Sequence, residues 1–572
     1  MKVYEAIVKG LEGIGVTAAF GGAGENAAGL MIALKHSRQI RPVITRHEQA
    51  ASFMACGYAM YTDLLGVCFA TAGPGAFNLF SGLAVAMSDS YPVLAISGYA
   101  SLEWAGRGSL NETSGMNRTP DSRAMFAATT KGSFLLTDIA DTCGVLEKAV
   151  NLAFEGRPGP VHIHVPENLT HRGVEVDNYR DIRLDVAPVL PDPDRIEEVA
   201  TVLADAIANG EPIVALAGSG AIRSRAGDQV QRLIERFQIP LITTLDGKGI
   251  VPERHPLCAG VLGDSGHASA RKAFRAARVV LGIGNALNQH ATFNYHQGLF
   301  DGKVHIRINI SATEISKLDK VYPADYAIVS DARAAVAALA DALEAKVGEV
   351  PTAHVDKQDY ESRRILNVTD LIHPGQLAQA IGRMLPEDSV LLADAGAHLA
   401  WLGYYVELQE GQNFRKAGEF GPMAGHVNGA LGLKVAHPER TVVVGCGDGC
   451  YSLSGFELMT AVEYGIPVIW VIFDDEEFKL IKLYQLEAYH ETGLVEFQNP
   501  DFAAYARACG ADGYRVDTLG DFEQAFRAAL KSGRPTVIDA KITRWAVPHY
   551  SPSPDGLMAG LVEALEARLR AG

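Results

Sequence analysis

Cysteine is sparse and unpatterned: Cys56, Cys68, Cys143, Cys258, Cys446, Cys450 and Cys509 lie scattered through 572 residues, odd in number and without a CxxC pair. That excludes a disulfide scaffold and a cysteine zinc site, and it fits a reducing compartment, so the expected location is cytoplasmic. Positive charge is also short, with 51 Lys and Arg against 67 Asp and Glu and a net charge of -16. No dense basic run interrupts this, and nucleic acid is not an expected partner. Long apolar runs are missing too: no stretch reaches the roughly 18 residues that suggest a membrane helix, and MKVYEAIVKGLEGIGV at the start lacks the apolar core of a signal peptide. No membrane association is expected. What remains is ordinary globular usage, 48% hydrophobic and 21% charged, with an enrichment in glycine (58 residues) suited to tight βα turns and backbone-lined ligand sites.

The length calls for several cores, and the pattern supplies three segments of alternating apolar runs and helical stripes. The first carries VTAAF, GVCFATAG, PVLAISG and PVHIHVP; the second PIVALAG, PLITTL, RVVLGIG and VHIRINI; the third SVLLADAG, TVVVGCGDG, PVIWVIFDD and PTVIDAKI. Strands that read as continuous apolar runs belong to parallel sheets covered on both faces. The expected fold is therefore α/β, three consecutive parallel-sheet domains over 1–170, 190–350 and 360–550, with a terminal amphipathic helix in 551–572. The polar, proline-bearing stretch 167–194 reads as the first linker. Domains one and three are candidates for a shared topology.

Chemistry concentrates in GCGDGCYSLSGFELMTAVEYGIPVIWVIFDDEE, residues 445–477. It reads as strand, glycine turn, helix over about 454–464, and strand, so a right-handed crossover sets both strands parallel. Asp448 and Asp475, 27 positions apart, then meet at the carboxyl edge of one sheet, where open α/β sheets bind ligands. The glycines beside Asp448 let backbone amides approach a phosphate, and two carboxylates next to such a turn suit Mg²⁺. A lone GDG is most often a surface turn; the second aspartate at crossover spacing is what lifts it above that.

This segment resembles the thiamin diphosphate motif of acetolactate synthases, pyruvate oxidases and benzoylformate decarboxylase. FGGAGEN, TRHEQAASFMACGYA, TAGPGAFNLFSGLAVAMSDSYPVLAISG, TLDGKGIVPERHPLCAG, ADAGAHLAW and EFGPMAGHVNGALG follow in family order along essentially the whole chain. The resemblance implies pyrimidine, central Rossmann-like and diphosphate domains. It makes Asp448 and Asp475 the metal ligands, with a third oxygen from Glu477 and with Asp474 as the competitor should the register shift by one. Gly447, Gly449 and Cys450 around Asp448, Gly396, Ala397 and His398 of ADAGAH, Gly421 and Met423 of GPMAG, and Gly73 and Asn78 of TAGPGAFN become cofactor contacts. Met423 would otherwise be a gap-filling core methionine and His398 an ordinary loop histidine. Glu48, by itself a solvated first-turn glutamate favoured by the helix dipole, becomes the partner of the aminopyrimidine N1′, supplied by the neighbouring subunit. A homodimer is then the minimal active unit and a homotetramer the expected assembly.

Departures from the relatives narrow the reading. Glu25 stands where those proteins carry other residues; it either puts a carboxylate near the reacting carbon or caps the next helix with Asn26. Arg118 either clamps a substrate carboxylate or is a solvated loop arginine. GNALNQH and INISATEI lack the arginine and acidic residues expected for FAD or ADP, so flavin is doubtful and an empty central domain stands beside it. The expected activity is decarboxylation of a 2-oxo acid followed by ligation of the acyl carbanion to a carbonyl acceptor. A C–C lyase or hydrolase, a flavin-dependent oxidase and a non-catalytic scaffold are the alternatives.

Overall fold

The computed structural model describes residues 1–170, 176, 178–318, 320–357, 371–549 and 566. The terminal helix expected near 557–569 lies, Glu566 apart, outside these residues. Among the described residues the strands form three sheets of six, every pairing parallel.

The first sheet comprises β1 (Ala18–Gly21), β2 (Arg41–Ile44), β3 (Gly66–Ala70), β4 (Val93–Tyr99), β5 (Gly132–Leu135) and β6 (Pro160–Pro166). The second comprises β7 (Ile213–Ala217), β8 (Leu241–Thr243), β9 (Cys258–Val261), β10 (Val279–Ile283), β11 (Val304–Asn309) and β12 (Tyr326–Val329). The third comprises β13 (Ser389–Ala393), β14 (Asn413–Lys416), β15 (Thr441–Gly447), β16 (Ile469–Asp474), β17 (Asp512–Val516) and β18 (Thr536–Lys541). The inner strands are buried along their whole length, β4, β6 and β16 at every position, because helices cover both faces.

The first sheet runs β2-β1-β3-β4-β6-β5 and the third β14-β13-β15-β16-β18-β17, the same order. Domains one and three thus share the topology. The second sheet, read as β9-β8-β7-β10-β11-β12, has the doubly wound order of dinucleotide-binding folds. In the third sheet Gly447 of β15 pairs in register with Phe473 of β16, which brings the turns carrying Asp448 and Asp475 side by side. The single helix expected over 454–464 is instead two, Asp448–Ser454 and Glu457–Glu463, parted at Gly455 and Phe456, so the helix starts at Asp448 itself.

First and third domains meet through the helices Glu48–Ala59 and Gly425–Ala436. A methyl group on Gly57 would lie 1.8 Å from the Gly429 carbonyl oxygen, and one on Gly432 1.8 Å from that of Met54. Only glycine permits this backbone approach, which fixes the helix that begins with Glu48 against the helix that follows Met423. The second domain is pinned to the third by a buried pair: Lys248 Nζ lies 2.6 Å from both Glu253 carboxylate oxygens, and Glu253 Oε2 accepts the Leu408 amide at 2.8 Å.

Candidate active site

The turns at the carboxyl edge of the third sheet enclose a cavity of about 250 Å³. Gly396, Ala397 and His398 enter it from the turn after β13, and Gly421 and Met423 from the segment after β14. Gly447, Asp448, Gly449 and Cys450 follow β15, and Asp475 and Glu477 follow β16. All the predicted contacts of the third domain therefore share one wall.

Asp448 is held from several sides. Its Oδ1 accepts the Gly449 amide at 2.8 Å, and Oδ2 accepts the Glu476 amide and Asn499 Nδ2, both at 2.7 Å. Burial first, and Asp474 second, push its pKa up to about 7. Burial likewise raises Asp475 to about 8; the Lys479 ammonium 3.4 Å away opposes this, while Asp448 and Glu477 reinforce it. Two neighbouring buried acids that resist ionisation are a pair whose charged forms a shared cation would stabilise. Asp474, the competing ligand, turns away from the cavity: its Oδ1 accepts Asn499 Nδ2 at 2.9 Å and its Oδ2 pairs with Lys541.

Glu477 is buried, and its carboxylate is taken by Lys479 and by Lys482 at 2.6 Å, while its main-chain oxygen accepts the Lys479 amide at 2.9 Å and keeps one lone pair that a cation could use. Among the described residues no three Asp, Glu, His or Cys side chains converge as a cage. A pair of carboxylates completed by backbone oxygen, phosphate and water is the coordination Mg²⁺ favours.

The imidazole of His398 is enclosed between Gly396 and Gly447: a methyl at the first would lie 2.7 Å from Cε1, and at the second 3.1 Å from Nδ1. Burial lowers its pKa to about 4, so the ring is neutral. Its Nε2 is buried with no hydrogen-bond partner, a cost that a bound hydrogen-bonding group would relieve.

Three residues outside the predicted set organise the cavity. The buried Asp394 accepts the Ala424 amide on Oδ1 at 3.0 Å and the His426 and Val427 amides on Oδ2 at 2.8 and 3.0 Å, fixing the turn after Met423. Asn499 bridges Asp448 and Asp474, and Lys479 neutralises Asp475 and Glu477. Asp394 stands within the ADAGAH segment and was legible there; Asn499, in FQNPDF, carries no motif signal.

The first domain contributes a second, separate edge. Glu48 opens its helix half-buried, and Asn78 Nδ2 donates to its Oε2 at 3.0 Å. Gly22 and Gly75 leave it room, since methyls there would lie 2.6 Å from its Cγ and 3.1 Å from its Oε1. Gly73, with φ of 62°, starts the helix Pro74–Asn78. Glu25 is exposed on a one-turn helix, Glu25–Ala27, and no side chain caps that turn or the next helix, Ala28–His36, so the structure shows no capping by Glu25 or Asn26. Arg118 is exposed in a left-handed turn with φ of 64°. None of these five residues lines the third-domain cavity of the same chain.

Comparison with known proteins bears on what this arrangement is. Family models for the N-terminal TPP-binding domain, the central domain and the C-terminal TPP-binding domain of thiamine pyrophosphate enzymes match residues 1–118, 200–339 and 394–540. The probable acetolactate synthase large subunit of Methanocaldococcus jannaschii is 30% identical over 588 residues, covering 99% of this chain and 96% of that one. The chain belongs to the thiamine pyrophosphate enzyme family. Two further similar proteins are the acetolactate synthase large subunits of Corynebacterium glutamicum, 29% identical over 94% of this chain and 86% of its own, and of Haemophilus influenzae, 28% over 92% and 91%. As a thiamine pyrophosphate enzyme the chain needs a place for a diphosphate. The glycine turns at Gly396 and Gly447 and the orphaned His398 nitrogen suit that demand. No described helix of this thiamine pyrophosphate enzyme is long and apolar enough to cross a membrane.

Proposed function

We propose that the protein decarboxylates a 2-oxo acid and ligates the acyl carbanion to a carbonyl acceptor, as an acetolactate synthase-like carboligase. The observation that carries this is the cavity in which the buried carboxyl groups of Asp448 and Asp475, 2% and 6% exposed, share one wall with the unpartnered His398 nitrogen. Thiamin diphosphate, when bound, supplies a carbanion that adds to carbonyl carbon. The chain's own residues do the rest. Asp448, Asp475 and the Glu477 main-chain oxygen hold Mg²⁺, and Gly396, Ala397, His398, Gly447, Gly449 and Cys450 take the diphosphate. Gly421 and Met423 support the cofactor rings.

Glu48, oriented by Asn78 beside Gly73, holds the proton at the pyrimidine N1′ of a cofactor seated in a second copy of the chain, because it lies outside its own chain's cavity. A homodimer is the working unit and a homotetramer its expected extension. Large apolar side chains support this: Leu480 and Ile481 at the cavity rim are 53% and 51% exposed, and Leu453 and Phe456 both 62%, in the single chain. Glu25 and Arg118 approach the substrate from that second copy. The names of the three relatives favour carboligation over diketone cleavage or flavin-dependent oxidation. A reaction without flavin is favoured by the central-domain cleft, where Asn285 Nδ2 is spent on the Leu216 carbonyl and Asn288 Nδ2 on Asp246 and Glu419.

Two measurements test the reading. Mass spectrometry after incubation with 2-oxo acids and aldehydes is expected to show carbon dioxide release with a hydroxyketone-type ligation product; diketone hydrolysis alone would overturn it. Deuterium exchange at C2 of the bound cofactor is expected to slow by about 10²- to 10⁴-fold in Glu48→Gln, with cofactor affinity within about tenfold. Wild-type exchange in that variant removes Glu48 from the reaction.

A further inference from the structure

Glu48 is only as well placed as the turn that delivers it, between β2 and its helix, and five of the amides of residues 44–49 have defined acceptors. Thr45 N–H donates to the Gly21 carbonyl at 2.9 Å, within the first domain. Gln49 N–H donates to His47 Nδ1 at 3.2 Å. The other three reach across to the third domain. Ile44 N–H donates to the Tyr464 hydroxyl at 3.0 Å. The two amides immediately before Glu48 both donate to one carboxylate, that of Glu457: Arg46 to Oε1 at 2.9 Å and Oε2 at 3.2 Å, and His47 to Oε1 at 2.9 Å.

Glu457 is 3% exposed. Thr460 Oγ donates to its Oε2 at 2.6 Å, and among the described residues no ammonium or guanidinium forms an ion pair with it. A buried carboxylate without a cationic partner costs free energy unless its lone pairs are filled by donors. Here the donors are the two consecutive amides of the Glu48 turn, whose direction the two in-plane oxygens fix in a way that a single acceptor cannot. Glu457 opens the helix that follows the Asp448 helix, so the clamp belongs to the stretch that also forms the cofactor cavity.

We propose that Glu457 is a positioning residue for Glu48, acting through the Arg46 and His47 amides. The proposal rests on the reading of Glu48 given above. Without the clamp two amides lose their acceptor and the Glu48 carboxylate loses its aim, while Asp448, Asp475 and His398 keep their partners.

The test compares Glu457→Ala, Glu457→Gln, Glu48→Gln and the double variant Glu48→Gln/Glu457→Ala. In the cofactor-free protein, amide hydrogen exchange over residues 44–49 is expected to accelerate at least about tenfold in Glu457→Ala, because the opening of that turn no longer breaks two charge-assisted bonds. In the loaded protein, C2 deuterium exchange is expected to slow about 10- to 100-fold, the scale of a misplaced reacting group, with cofactor affinity changed less than about threefold. Glu457→Gln, which keeps one acceptor oxygen, is expected to fall between, and it carries the test if the alanine variant does not fold. The double variant is expected to exchange no more slowly than Glu48→Gln, since the effect passes through Glu48. Wild-type C2 exchange in both Glu457 variants, with Glu48→Gln slow, overturns the clamp and leaves Glu48 in place. A double variant slower than Glu48→Gln by the full Glu457 factor also overturns it. Wild-type exchange in Glu48→Gln removes the Glu48 reading and the clamp with it.

Discussion

The first and third sheets run their strands in the same order, yet their carboxyl edges have opposite character. The third edge is closed: Asp448 is 2% and Asp475 6% exposed, and burial drives both acids toward their neutral forms. The first edge is open: Glu25 and Arg118 stand in solvent, and Glu48 has Asn78 as its side-chain partner. Topology decides where the loops gather; desolvation decides what they can bind. A buried acid demands a cation or a full set of hydrogen-bond donors, whereas an exposed one awaits a surface.

The largest effect should follow from breaking the closed edge. Asp448→Ala or Asp475→Ala removes one of two carboxylates from a cation that otherwise has only the other carboxylate, backbone oxygen, phosphate and water, so cofactor affinity should fall by about 100-fold or more. Dialysis against EDTA should mimic both, and Mg²⁺ with thiamin diphosphate should restore the wild type but neither variant. Activity that survives the chelator would show that the two acids serve no metal.

The same contrast between buried and open explains what the sequence made legible. In every sheet the four inner strands announce themselves as apolar runs, from VTAAF to PTVIDAKI, because both faces are covered. The strands that escaped, β2, β5, β9, β12, β14 and β17, are the two edges of each sheet. β5 is half-buried throughout and β17 only partly covered, so neither needs an apolar run. β9 is buried but just four residues long, with Gly260 at φ of 96° in its middle. The site shows the same division. GDG and Asp475 could be placed from spacing, and GPMAG and ADAGAH, each one chain segment, from the family resemblance. Asn499 and Glu457 act through single long-range hydrogen bonds, which leave no local pattern.

Acidification should separate the two domains by a smaller effect. Burial holds His164 of the first sheet at about 3 and His398 of the third at about 4. An unfolded histidine titrates near 6.5, so below that pH the unfolded chain takes up a proton that the folded one refuses. The stability is whole above about pH 6.5 and falls as pH drops, by up to about 1.4 kcal/mol per unit for each ring. The His398 share should run out near pH 4 and the His164 share near pH 3. Thermal midpoints between pH 7 and pH 4 should therefore decline less steeply in His398→Gln and in His164→Gln than in the wild type. Parallel curves would mean that neither ring is held neutral by the fold.

The smallest effect belongs to the most exposed member of the open edge. Glu25 sits on its one-turn helix without capping it, and its removal leaves no buried group unpaired. Glu25→Gln and Glu25→Ala should consequently shift stability by no more than about 0.5 kcal/mol, the range of an uninvolved surface position. If Glu25 faces the reacting carbon in a second copy, its charge repels a 2-oxo acid acceptor more strongly in that closed cleft than it would in water. Both variants should then raise the yield of the product that pyruvate forms with itself, relative to products with neutral aldehydes, at an unchanged rate of C2 exchange. Product ratios from pyruvate with and without a competing aldehyde decide it: a ratio equal to wild type in both variants places Glu25 outside the acceptor site, and a large loss of thermal midpoint would show a structural role that its exposed, uncapped position does not suggest.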